Sequence, residues 1–238
     1  MIVFLGDIHG NFFGLKKMII RKGISDCTLI QVGDFGIGFR KLEEDKSDLE
    51  DLNSFFSKKG INFLAIRGNH DDPKFFEGDY KYSNLELLPD YTQRQIEDYN
   101  LLFIGGATSV DRRKRIISDR TVSLLGINSK TYWANEILKW NDSIDAIEGV
   151  DILVTHTAPT WCDPIQISHF VNSYAQVDDN LVEDLKNERE LMNNIFNKLL
   201  EKNYITKHFY GHFHNSSVTS TESCYHRLLN IDEFFELR

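Results

Sequence analysis

Short apolar runs recur along this chain of 238 residues, and five of them stop abruptly at polar side chains able to bind a metal or move a proton. Met1-Ile2-Val3-Phe4-Leu5 leads into Gly6-Asp7-Ile8-His9, and Thr28-Leu29-Ile30-Gln31-Val32 into Gly33-Asp34. Ile61 to Ile66 leads into Arg67-Gly68-Asn69-His70-Asp71, Asp151 to Val154 into Thr155-His156, and Lys207 to Tyr210 into Gly211-His212-Phe213-His214. Short, near-continuous apolar runs are what strands buried on both faces look like. A glycine lets the backbone turn where a Cβ would clash. Open α/β sheets gather ligands beyond the carboxyl ends of their strands. The pattern therefore predicts an α/β fold whose polar site is assembled from loops far apart in sequence.

Between these runs the apolar spacing changes to that of helices packed on a sheet. Phe12 to Ile20 carries apolar residues at Phe12, Leu15, Ile19 and Ile20, with Phe13 and Met18 widening the face. Lys41 to Lys59 is charged and becomes amphipathic from Leu49 through Leu52, Phe55 and Phe56; Leu181 to Lys202 repeats the pattern. A further helical stretch is expected over Asn135 to Ile147. Thr92 to Tyr99 and Leu101 to Ile104 are expected to form a hairpin with Asn100 in its turn. Asp72 to Pro89 reads as loop with short edge elements, Trp161 to Asp179 as loop, and Ser217 to Thr219 with Tyr225 to Ile231 as a closing pair of strands.

The length fits one domain with an insertion, expected around residues 106–133 as a cap. Acids outnumber bases, 36 to 27, for a formal net charge of -9, which argues against a broad duplex-binding face. Three cysteines, Cys27, Cys162 and Cys224, show no paired spacing and read as buried small hydrophobes. The apolar N-terminus runs straight into Asp7, and no stretch approaches a membrane span. A cytoplasmic protein is expected.

Five of the eight histidines sit in the five polar blocks. Asp7 and His9 alternate, so both can point the same way, as can His212 and His214. Carboxylate and imidazole together suit a divalent transition metal. Asn69 adds a neutral oxygen ligand, His70 a proton donor, and Asp71 a group that can fix the His70 ring and tautomer. One histidine in a core needs only a hydrogen bond. Five, each placed just after an apolar run, point to a metal site. Asp111-Arg112-Arg113-Lys114-Arg115 is the one dense basic cluster. It reads either as a solvated loop or as a phosphate clamp, because Arg pairs bidentately with phosphate oxygens.

Taken in order, Asp7-Ile8-His9, Gly33-Asp34, Gly68-Asn69-His70-Asp71, His156 and Gly211-His212-Phe213-His214 resemble the motif set of the calcineurin-like metallophosphoesterase superfamily. The resemblance implies a four-layer α/β/β/α sandwich of two mixed sheets. It implies two divalent metal ions, Mn²⁺ first, with Fe or Zn²⁺ also suited to the ligands. Asp7, His9 and His214 would hold one, Asn69, His156 and His212 the other, and Asp34 would bridge them. A water or hydroxide on the metals would attack phosphorus, His70 would protonate the leaving group as general acid, and Asp71 would hold His70.

The opening block looks like that of Ser/Thr phosphatases and diadenosine tetraphosphate hydrolases. Gly33-Asp34-Phe35-Gly36-Ile37-Gly38, however, lacks the second acid and the arginine of their next block. Gly105-Gly106-Ala107, Asp111-Arg112 and Tyr132-Trp133 look more like small bacterial and phage phosphoesterases. Arg112, Arg113 or Arg115 would then supply the missing arginine at the substrate. The expected substrate is a small phosphoester or a phosphoprotein, cleaved as monoester or diester. The alternatives are a non-catalytic scaffold of the same fold, or a nuclease acting on single-stranded or RNA ends.

Overall fold

Alternating side chains sort the apolar residues of the strands into separate layers. A computed structural model describes residues 1–126, 130–166 and 168–237. In chain order the strands are β1 (Ile2–Leu5), β2 (Cys27–Gln31), β3 (Ile61–Ala65), β4 (Leu85–Leu87), β5 (Thr92–Ile96), β6 (Tyr99–Ile104), β7 (Ile152–Thr155), β8 (Lys207–Tyr210), β9 (Ser217–Ser220), β10 (Tyr225–Leu228) and β11 (Phe234–Glu236). The helices are α1 (Phe12–Lys22), α2 (Leu42–Lys59), α3 (Arg112–Leu124), α4 (His169–Ala175) and α5 (Leu181–Leu200).

Two mixed sheets result, one ordered β11-β1-β2-β3-β4 and the other β5-β6-β7-β8-β10-β9. In the first, β1 to β4 run parallel and β11 antiparallel. In the second, β6, β7, β8 and β10 run parallel between antiparallel edges β5 and β9. Val3, Leu5, Leu29 and Phe63 face out to Leu15 and Ile19 of α1 and Leu49, Leu52 and Phe56 of α2. Their neighbours Ile2, Phe4, Ile30 and Leu64 face in, toward Leu101, Phe103, Ile152, Val154 and Phe209 of the second sheet. The outer face of that sheet, Leu102, Ile104 and Leu153, meets Met192, Ile195, Phe196 and Leu199 of α5. The order of layers is therefore α/β/β/α, and each fully buried Leu, Ile or Phe contributes about 1.5–3 kcal/mol of transfer free energy. Burial on both faces is why the strands read as unbroken apolar runs.

Several local expectations are corrected. On α1 only Phe12, Leu15 and Ile19 are buried; Phe13 and Ile20 are exposed, and Lys17 lies over the Phe13 ring. The β5–β6 turn falls at Glu97-Asp98, with Glu97 at φ 54°, and Asn100 pairs with Gln95 inside the ladder. Residues 135–147 hold one short 3₁₀ turn, Asp142–Ala146, in place of a longer helix. The carbonyls of Glu136 and Ile137, which a helix would use internally, accept hydrogen bonds from the buried Arg67 at 2.6 and 3.0 Å. Arg112 to Arg115 open a helix, not a loop. Within the expected loop 161–179, Ser168 accepts from the Val171 N–H and caps α4, which buries no residue. Strand β11 is an addition that pairs with β1.

Candidate metal centre

The carboxyl ends of β1, β2 and β3 in one sheet face those of β7 and β8 in the other. The loops leaving them bring Asp7, His9, Asp34, Asn69, His70, His156, His212 and His214 to one place. One ligand atom each from Asp7, His9, Asp34 and His214 lies within 4.8 Å of the others. His214 Nε2 stands 3.0 Å from His9 Nε2 and 3.3 Å from Asp7 Oδ2. A second group adjoins the first. His156 Nε2 is 3.2 Å from Asp34 Oδ1 and 3.2 Å from Asn69 Oδ1, and the His212 ring lies 5.1 Å from that of His156. Asp34 belongs to both groups, its other oxygen lying 3.8 Å from His9 Nδ1.

The surroundings fix how each side chain is presented. His156 Nδ1 is 2.8 Å from the Val32 carbonyl. A carbonyl only accepts, so Nδ1 carries a proton and Nε2 is the nitrogen aimed at the site. Asn69 Nδ2 donates to Ser109 Oγ at 2.9 Å, which turns Oδ1 toward His156. Asp7 accepts from the His212 backbone N–H at 3.1 Å, tying β1 to the loop after β8.

Eight described non-glycine residues have positive φ, and four of them are His9, Asp34, His212 and His214. Such backbone is costly, and it persists where the surroundings hold it. Two glycines permit the closeness. A Cβ on Gly68 would fall 2.0 Å from Asp34 Oδ1, and one on Gly211 would fall 2.2 Å from Asp7 Oδ1. Gly68 is thus required for close approach and not for a left-handed turn.

Charge follows the same geometry. Burial pushes Asp34 up, but His156, His70 and His9 outweigh it and hold the carboxyl well below its ordinary range. Burial disfavours the charged form of His156, yet Asp34 beside it raises its pKa to about 9. Burial, with His156 nearby, pushes His212 well below an ordinary imidazole. An ionised carboxylate among imidazoles, each able to offer a bare nitrogen, is a donor set that fits divalent cations.

His70 sits at the edge of this group, half-buried, with its ring edge-on to His9 at 5.2 Å. Its backbone N–H donates to Asp34 at 2.8 Å. Burial, partly offset by Asp34, lowers its pKa. Asp71 departs from its expected role. Its oxygens accept from the backbone N–H groups of Phe35 (3.1 Å), Gly36 (2.6 Å), Ile37 (3.2 Å) and Gly68 (2.7 Å). Four acceptances fill a carboxylate, so Asp71 joins the loops after β2 and β3 and does not orient the His70 ring.

The arginines also divide. Arg112 binds Asp178 through two nitrogens, at 2.6 and 3.0 Å, and reaches Asp184 at 2.6 Å. Arg115 is buried and binds Ser109, the carboxylate of Glu136 and the carbonyls of Asn69 and Thr131. Both hold structure around the site, while Arg113 is exposed. Ser109 and Glu136 were not expected from the sequence. A sixth apolar run, ending at Gly105-Gly106-Ala107-Thr108-Ser109, repeats the pattern that marked the other five and could have flagged Ser109.

Two facing sheets whose loops converge on a carboxylate shared by two ligand groups define a metal-dependent hydrolase of the α/β/β/α class. The sequence profile of the calcineurin-like phosphoesterases matches residues 1–216, and the chain belongs to that family. Its members hydrolyse phosphoesters with divalent metals, so the chain is a metallophosphoesterase. No curated protein matches it. It is similar to the protein TT1561 of Thermus thermophilus, with 12% identity, a TM-score of 0.46, and 97% of this chain and 88% of that one covered. It is similar to the phosphopantetheinyl hydrolase PptH of Mycobacterium tuberculosis, with 11% identity, a TM-score of 0.46 and coverage of 97% and 89%. A dimetal phosphatase of Danio rerio gives 11% identity, a TM-score of 0.45 and coverage of 97% and 87%. Likeness at this level assigns neither a substrate nor a residue role. Among the described residues, no helix is long and apolar enough to cross a membrane.

Proposed function

We propose that this chain hydrolyses a small phosphoester or a phosphoprotein at a centre of two divalent cations. Asp7, His9 and His214 would hold one cation, Asn69, His156 and His212 the other, and Asp34 both. Mn²⁺ is the first choice, and the ligands also suit Fe or Zn²⁺. The observation that carries this reading is the place of Asp34, with one oxygen 3.2 Å from His156 and the other 3.8 Å from His9. Cations bound there supply Lewis acidity at phosphorus and a water of lowered pKa. His156, anchored at Nδ1, keeps Nε2 free of a proton when it serves as a ligand. Ser109 keeps Asn69 Oδ1 aimed into the site. His70, at the edge and free of Asp71, donates a proton to the leaving oxygen as general acid. Arg112 and Arg115 receive no direct contact with substrate. Of the cap expected over residues 106–133, the described residues carry Arg115 against the Asn69 carbonyl and are read as a cap beside the site, and residues 127–129 lie outside the described residues. Three buried free cysteines fit a reducing compartment, and we place the enzyme in the cytoplasm.

The test pairs metal content with a substrate panel. Wild-type protein and Asp34→Asn are compared for bound divalent ions by mass spectrometry. Both are then assayed with Mn²⁺ on p-nitrophenyl phosphate, its bis-ester, a cyclic nucleotide and a phosphopeptide. Two ions per wild-type chain, loss of metal in Asp34→Asn and turnover of one ester class are expected. Wild-type protein that takes up no divalent ion under any condition ends the reading.

A further inference from the structure

A second group of metal-binding side chains lies on the outer face of the second sheet. His208 and His226 are partners across β8 and β10, and both rings pack on Phe196 of α5, at 5.7 and 5.6 Å. One nitrogen of each ring and the sulfur of Cys162 lie within 4.8 Å of one another, and all three residues are buried. None belongs to the loop cluster described above.

The proton positions leave this trio incomplete. Thr155 Oγ1 donates to the Thr157 carbonyl, so it accepts from His208 Nε2 at 2.7 Å. That leaves a bare lone pair on His208 Nδ1, facing His226 Nδ1 at 3.1 Å. With no cation, His226 must turn its only proton toward His208, and its Nε2 is then a buried acceptor with no partner among the described residues. Two nitrogens each about 2.0–2.1 Å from a shared ion lie roughly 3.3–3.5 Å apart, so the facing Nδ1 atoms, at 3.1 Å, need to separate by only a few tenths of an ångström to share one.

Charge selects the ion. Cys162 is a buried free thiol, and each imidazole uses one proton, His208 toward Thr155 and His226 toward His208, so the empty trio is uncharged. A cation would displace the thiol proton to solvent and form one bond to sulfur. With two neutral imidazoles, a monovalent ion gives a neutral site, whereas a divalent one leaves a buried positive charge. A cationic side chain close by, Arg189, donates to the Cys162 carbonyl at 2.5 Å and adds to that cost. Thiolate and imidazole are soft and borderline donors of the kind that select Cu⁺.

We propose that Cys162, His208 and His226 form a buried three-ligand site for one Cu⁺ ion, pinning the loop after β7 to β8 and β10. The experiment equilibrates Mn-loaded full-length protein with Cu⁺ held by a weak chelator under argon, and copper is counted per chain. One equivalent is expected, with copper X-ray absorption showing one sulfur and two nitrogen neighbours. Uptake should fall at least about tenfold in Cys162→Ser and in His226→Asn. Cys27→Ser should bind as wild type does, and Cys162→Ser should keep its Mn²⁺-dependent hydrolysis. No copper in the wild type, equal uptake by Cys162→Ser, or a shell of nitrogen and oxygen alone would overturn the site. One equivalent of Zn²⁺ in place of Cu⁺, lost in Cys162→Ser, would overturn the monovalent assignment. If Cys162→Ser fails to fold by circular dichroism, the wild-type absorption spectrum decides alone.

Discussion

Two histidine clusters flank the same sheet, on neighbouring residues of the same chain segments, and they are built on opposite principles. His156 follows Thr155 and looks into the loop cluster, while Thr155 looks the other way and holds His208. The loop cluster contains two buried carboxylates and four residues with left-handed backbone. The trio of Cys162, His208 and His226 contains no carboxylate, and none of its members has positive φ. Loops let imidazoles be aimed from several directions, at a cost in strain, and carboxylates supply the charge that paired dications require. Strand-borne imidazoles are placed by register alone. The same residue type thus serves an open, charged centre on one face and an uncharged core pocket on the other.

The sharpest way to break this contrast is Gly68→Ala. Its Cβ would meet Asp34 Oδ1 at 2.0 Å and push apart the two ligand groups. Losing several kcal/mol of transition-state stabilisation lowers kcat/KM on the order of 10³-fold, with loss of bound metal by mass spectrometry. Full activity in that variant would show that loop packing does not set the centre. His70→Asn separates chemistry from metal binding: kcat should fall by about 10²–10⁴-fold while metal content stays at the wild-type level. Ser109→Ala frees the Asn69 amide, and divalent metal affinity should drop by about 10–100-fold, with turnover recovering at high metal concentration.

The smallest effect concerns Glu136. Burial raises it to about 7, against the pull of Arg115. Its folded pKa lies above its unfolded value of about 4.3. The stability it contributes is therefore fully present below that unfolded value and is lost as pH rises through about 7. Wild-type Tm should fall over that window by about 2–4 °C for each kcal/mol lost in a chain this long. Asp71, raised by burial to about 6, adds to the slope below that value, so Glu136→Gln should flatten it between about 6 and 7, and an unchanged slope there would place the titration elsewhere.

Much of the candidate site was legible because each candidate ligand follows an apolar run that burial on both faces demands. Asp7, Asp34 and His156 announce themselves by interrupting such runs. The side chains standing behind the ligands were not legible. Arg112 reads as a free cation until a chain segment 66 residues away brings Asp178 to it. Asp71 reads as a partner for the adjacent His70, but its four acceptor sites are filled by amides, three of them in the loop after β2. Residues 135–147 carry a helical apolar period, and that local preference loses to Arg67, whose guanidinium takes the carbonyls a helix would have used.

The four amides gathered by Asp71 have a mechanical consequence. The segments after β2 and β3, which carry Asp34, Asn69 and His70, are riveted through one carboxylate and cannot drift independently. Deuterium should enter the amides of Phe35, Gly36, Ile37 and Gly68 in a single correlated step, and Asp71→Asn should let them exchange at separate rates.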